Sequence, residues 1–212
     1  YFMLENTALT MTYASNVGII VACAPFFVAV IVGIFFKNEK PGVNFFIGFV
    51  IAIIGIAMIS MNGAKSLHLN PKGDMLAFTA MISWGFYSAV IKKIGEWDYP
   101  TAAVTRRIYF YGMVFLIPVL IEQRVSWNMA QFQKPEIVLN FLFLGVGASA
   151  MGFFLWNLST KWIGAIKTSV YIYVSPVVTV VLSVIVLHEK MTFVSAVGAI
   201  LILTGLIVSQ KK

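Results

Sequence analysis

The chain has 212 residues, of which 60% are hydrophobic and 11% charged, with a mean hydropathy of +0.91 and a formal net charge of +7. A soluble domain carries about 25% charged residues, so this composition excludes an ordinary soluble surface. The basic excess does not point to nucleic acid, because Lys and Arg sit between apolar runs and form no single stripe.

Tyr1 to about Leu9 is too short to span a bilayer and starts in mid-pattern. It reads as the end of a helix that begins upstream, and it lacks the basic start and small-residue cleavage site of a signal peptide. The next run, Ala14 to Phe36, is 23 residues without a charge. As a helix it is about 35 Å long, enough for a hydrocarbon core of roughly 30 Å. Its lone cysteine, Cys23, says nothing about redox compartment.

Further spans are expected over roughly Val43–Met61, Met75–Ile91, Ile108–Ile121, Ile137–Ser159, Ser169–Leu187 and Phe193–Val208. That makes seven spans and one fragment. Helices are the natural form, because backbone groups in lipid must be satisfied within a segment. Turn chemistry marks the linkers Lys37–Gly42 and Asn70–Asp74, and the second divides the chain into 1–70 and 71–212. The polar stretch Glu122–Glu136, with Trp127 and Phe132, suits a membrane interface.

The two parts repeat each other. Pro25 and Pro176 are 176 − 25 = 151 positions apart, and the same shift puts Leu4 on Leu155, Asn6 on Asn157 and Ala14 on Ala165. One residue fewer puts Glu39 on Glu189, Lys40 on Lys190, Gly48 on Gly198 and Gly55 on Gly205. A doubled set in an apolar chain points to a carrier of two related halves with a site at their interface. An odd number of helices separates the repeats, so they are expected to be inverted. With Lys211 and Lys212 cytoplasmic, alternation puts 10 of the 15 basic residues on that side and 5 on the other.

Candidate functional residues follow from cost. A proline inside a helix removes a donor and frees a carbonyl four residues back, here Val21 for Pro25 and Ile172 for Pro176. Both prolines are candidate hinges. Glu5 is ionisable at membrane depth, which marks function by default. Asn6 and Asn157 suit interhelical hydrogen bonds or substrate contact. Trp84 and Tyr87 share a helix face. With Trp156, Tyr171 and Tyr173 they offer rings for stacking on flat or cationic molecules. The glycine pairs, seven apart, mark close helix approach. His68 and His188 are isolated, and there is no HExxH, phosphate loop or metal-ligand spacing. No enzymatic chemistry, cofactor or metal is expected.

Leu4-Glu5-Asn6-Thr7-Ala8-Leu9 with Ala14-Ser15-Asn16 and Pro25, echoed by Leu155-Trp156-Asn157 and Ala165 to Pro176, resembles the drug/metabolite transporter superfamily with EamA-type repeats. Glu39, Glu189 and the four paired glycines fit the same pattern. The resemblance implies an all-α, integral membrane inverted-repeat bundle of ten helices, of which this chain would hold the end of the third and the fourth to tenth. It implies a secondary carrier, an exporter of small metabolites such as amino acids or drug-like compounds, working by alternating access in the cell membrane with a cytoplasmic C-terminus. The substrate cavity would be lined by Glu5, Asn6, Asn16, Trp84, Tyr87, Trp156, Tyr171 and Tyr173. The expected partners are a small-molecule substrate and the lipid bilayer, with proton coupling and a homodimer as further expectations. The alternative is a non-transporting membrane subunit or an inactive fragment.

Overall fold

A computed structural model describes residues 1–37, 39–62, 70–122, 132–186, 188 and 191–211. Trp127, His68 and the repeat mates Glu189 and Lys190 lie outside the described residues, as does most of the stretch Glu122–Glu136.

Among the described residues the chain is helical throughout. In order come α1 (Phe2–Met11), α2 (Ala14–Ala22), α3 (Ala24–Phe35), α4 (Val43–Asn62), α5 (Pro71–Gly95) and α6 (Thr101–Glu122). Then α7 (Pro135–Leu142) runs through a π-helical stretch, Phe143–Met151, into α8 (Gly152–Ile163). Next, α9 (Ala165–Val170) joins α10 (Val174–Val186) through a 3₁₀ turn at Tyr171–Tyr173, and α11 (Phe193–Gln210) closes the series. Seven of the resulting helical segments are long and apolar enough to cross a membrane. They match the seven expected runs, because hydropathy and the need to satisfy the backbone in lipid fix them.

Local chemistry sets the ends. Pro71 opens α5, Asp74 lies in its first turn, and Lys92 and Lys93 lie in its last, each favourable to the helix dipole. The Thr192 side chain caps α11 by accepting from the Ser195 amide at 3.1 Å. A single residue, Gly164, links α8 to α9 at φ +87, a conformation that L side chains rarely adopt.

The chain forms two compact units, Tyr1–Val90 with Ile163–Lys212, and Ile91–Trp162. In the first, α4 and α11 make the most extensive helix pair. They meet at the four repeated glycines. A Cβ on Gly55 would come within 2.5 Å of the Gly198 carbonyl, and one on Gly205 within 2.6 Å of the Gly48 carbonyl. Early residues of α4 thus face late residues of α11. Asn44 donating to the Lys211 carbonyl at 3.5 Å fits the same order. The two helices are repeat mates and run antiparallel. The two-fold relating them is perpendicular to both, hence in the plane of any membrane they cross, which is the geometry of inverted repeats. The core of this unit gathers around the pair and includes Phe45, Ala52, Ile56, Val170, Tyr173 and Ile202.

In the second unit, α6 and α8 are tied by side chains. Asn157 donates to the Thr105 hydroxyl at 3.0 Å, and Tyr109 donates to Ser149 at 3.2 Å. These bonds sit between apolar helices, where polar side chains act as glue.

The glycine contacts give a first prediction. Gly55→Leu or Gly205→Leu must force α4 and α11 apart, because the obstacle is backbone. Overpacking of this kind costs about 1–3 kcal/mol or more. Unfolding in a denaturing detergent titration is expected to shift by that amount, whereas Gly112→Leu, with no atom near its Cβ, leaves it unchanged.

Candidate functional site

The expected single helix over Ala14–Phe36 is in fact two. The Cys23 amide turns back to the Ile20 carbonyl at 3.0 Å, and the Cys23 carbonyl accepts from Phe26 at 3.0 Å. Pro25 therefore sits in the first turn of α3, where a missing N–H costs nothing. In the second half, the 3₁₀ turn Tyr171–Tyr173 occupies the turn before Pro176. Shifted back by 151, it falls on positions 20–22, the last turn of α2. Both halves are thus interrupted in the turn preceding the repeated proline. The 3₁₀ turn is the tighter solution available where the i→i+4 ladder is broken.

Between the two interruptions lies a cleft of about 300 Å³, walled by Val21 and Ala22 of α2, Ile56 and Ile59 of α4, and Ile172 and Pro176. This is the lower end of the range for small-molecule sites.

A second cluster lies on α1 and α5. Trp84 and Tyr87 stack with centroids 5.2 Å apart and planes at 30°. Tyr1 packs on Trp84 at 4.9 Å, and its hydroxyl bonds the Glu5 carboxylate. Glu5, Trp84 and Tyr87 are therefore brought to one place, with Tyr1 as the bridge. Trp84, Phe27 and Ile172 all pack on one buried cluster of Ala24, Ala80 and Met81, which draws on both interrupted helices.

The remaining candidates are placed elsewhere. Asn16 is buried and donates to the Thr12 hydroxyl at 3.3 Å. Thr12 donates to Asp74 at 2.8 Å, Asp74 accepts from the Asn70 amide at 3.1 Å, and Asn70 donates to the Met11 carbonyl at 2.6 Å. This network ties the α1–α2 turn to the start of α5. Asn6 is exposed on α1. Tyr171 is 49% exposed, whereas Tyr173 is fully buried, with its hydroxyl unbonded among the described residues. Trp156 and Asn157 belong to the second unit.

Tyr1, Thr12, Asp74, Tyr109 and Ser149 were not singled out by the sequence. Tyr1 was open to discovery, because its spacing to Glu5 is one helical turn. The others meet partners far along the chain, and no local spacing announces them.

Two interrupted helices, antiparallel repeat mates and seven membrane-length spans define a multi-pass membrane protein with inverted repeats. The EamA-like transporter family model matches residues 1–61 and 71–210, and the chain belongs to this family. An uncharacterized transporter of Archaeoglobus fulgidus is 25% identical over all of this chain and 72% of its own length. The uncharacterized transporter YcxC of Bacillus subtilis is 25% identical over 99% of this chain and 69% of its own. A protein of Salmonella typhimurium named "Probable amino-acid metabolite efflux pump" is 23% identical over 86% of this chain and 63% of its own. A crystal structure with 17% identity superposes with a TM-score of 0.80 over 98% of this chain and 71% of that one, and so shares the fold.

Asp98, between two spans of the second unit, accepts from Lys161 at 2.7 Å, with the carboxylate side chain 92% exposed. This hydrogen bond, reinforced by the ammonium charge, holds the Asp98 carboxyl below its ordinary value. A depressed carboxyl pKa contributes stability above its unfolded value of about 3.9 and loses it as pH falls through the folded value. Asp98→Asn is expected to lower the melting temperature slightly at neutral pH, since exposed pairs contribute little. The difference from the parent should shrink as pH drops below about 4. A constant difference from pH 7 to the acid limit would remove the pair as its cause.

Proposed function

We propose that this membrane transporter is a secondary carrier that moves small metabolites, such as amino acids or drug-like compounds, outward by alternating access. The observation that carries this reading is the pair of helix interruptions at repeat-equivalent positions facing one cleft. Interrupted helices in both halves are the expected hallmark of a carrier site. Pro25 and Pro176 serve as hinges, and 1–70 and 71–212 act as the two repeats.

Glu5, Trp84 and Tyr87 form the recognition surface. A carboxylate beside stacked rings suits a flat molecule bearing an amine, through charge and cation–π attraction. Asn6, Asn16, Trp156, Tyr171 and Tyr173 are the further substrate-contacting residues of this reading. Glu5 is also the group to exchange a proton with the substrate. The carrier lies in the cell membrane with its C-terminus in the cytoplasm.

The test is counterflow in proteoliposomes, with and without a pH gradient, using labelled aromatic amino acids, other amino acids and aromatic amines. Saturable exchange of at least one class is expected. Glu5→Gln should reduce it about tenfold or more, the usual scale for a proton-transfer group. Pro176→Ala should slow it several-fold at unchanged melting temperature, because a restored backbone donor straightens the helix and biases one facing state. No exchange of any class would overturn the carrier reading, and unaffected exchange in Pro25→Ala and Pro176→Ala would remove the hinges. A reporter active only in the cytoplasm, fused at Lys212, should be active.

A further inference from the structure

The walls of the cleft beside Pro176 have repeat mates in the other half, and five of those mates are buried. A shift of 151 takes Gly18 to Ser169, Ala22 to Tyr173, and Pro25 and Val28 to Pro176 and Thr179; it likewise takes Ala24 to Ser175. The wall residues of the cleft include Gly18, Ala22, Ser175, Pro176 and Thr179. Their mates are therefore Ser169, Tyr173, Ala24, Pro25 and Val28. All five mates are buried, with Tyr173, Ser169 and Val28 at 0% and Ala24 at 1%. Tyr173 is the largest fully buried side chain described. Where the second half carries a buried phenol ring, the first half carries only the methyl of Ala22, and Ala22 lines the cleft.

We propose that this cleft is a binding site for a neutral aromatic molecule of phenol size. The protein's own packing supplies the template, since the equivalent position in the other repeat carries a fully buried tyrosine ring. Residues of the wall are Gly, Ala, Val, Ile, Pro, Ser and Thr, with no charged side chain among them. An ion would lose its hydration there without compensation, so the ligand is uncharged. A hydroxyl on the ring finds partners. Ser60, Ser175 and Thr179 carry hydroxyls on the wall. Entry is open, because Gly18, Ser175 and Thr179 are exposed. The site is the cleft that the two interruptions face, apart from the Glu5 cluster, and its occupancy is read without any transport.

The experiment titrates 4-fluorophenol into the purified chain in detergent micelles and follows fluorine NMR. Partition into micelles is linear in concentration, whereas a site saturates. The parent is expected to show a saturable component. Ala22→Tyr, which copies the second half into the first, should weaken it at least tenfold and leave the melting temperature equal or higher. If Ala22→Tyr fails to fold, Gly18→Leu fills the cleft from the rim, where a Cβ meets nothing within 4 Å, and should give the same loss. A linear response in the parent, or saturable binding unchanged in a folded filling variant, overturns the proposal. So does displacement of the probe by decanol as effective as by phenol, which would make the cleft a groove for lipid chains. Binding is read without any transport, so its failure leaves the carrier reading standing, and failure of counterflow leaves this one standing.

Discussion

The close approach of α4 and α11 is the constraint on which the larger unit depends. Helices in lipid gain little from hiding apolar surface from one another, so packing contact must hold them. Four glycines allow backbone to meet backbone, with the Gly48 and Gly55 carbonyls lying where the Cβ atoms of Gly205 and Gly198 would otherwise stand. The contact has a property peculiar to its symmetry. Exchanging the repeats turns the Gly48–Gly205 pair into Gly198–Gly55, so the same seam is recovered. Whatever conformations the two halves trade, this seam is common to both.

Around that fixed pair, asymmetry arises residue by residue. Ala22 and Tyr173 hold equivalent places and differ by a whole ring. Gly18 and Ser169 differ by a hydroxymethyl group. A duplicated fold thus carries a buried ring at one of two equivalent places and a methyl group at the other. The interruptions at Cys23 and Tyr171–Tyr173 differ in form as well, one a break in the helix and the other a tightened turn, although both answer the same missing amide.

Much of this was legible in the chain. Span positions followed from hydropathy, and the inverted repeat from matched residues separated by an odd number of crossings. The paired glycines announced a close approach because their spacing of seven is two helical turns. Which residues share a site was less legible. Asn16 and Glu5 were both expected to line the substrate cavity, yet Asn16 enters a network with Thr12 and Asp74, 62 positions on from Thr12, while Glu5 meets Tyr1 one turn away. Tyr171 and Tyr173 are two apart and point to different surroundings, exposed and buried. Such outcomes depend on helix rotation, and periodicity in a nearly uniform apolar run does not fix rotation.

The π-helical stretch Phe143–Met151 bears on how this chain tolerates change in length. Such a stretch holds more residues per turn than an α-helix and is a register shift absorbed within a span. Loss of one residue there would let the span relax toward regular α-helix. It would leave the segments on either side close to their present phase, because an extra residue is what a wide turn absorbs. Ser149, bonded to Tyr109, and Asn157, bonded to Thr105, are eight residues apart and would stay on one face of a regular α-helix. The wide turn therefore gives this span slack, so that a residue can be lost there while both polar contacts keep their side of the helix.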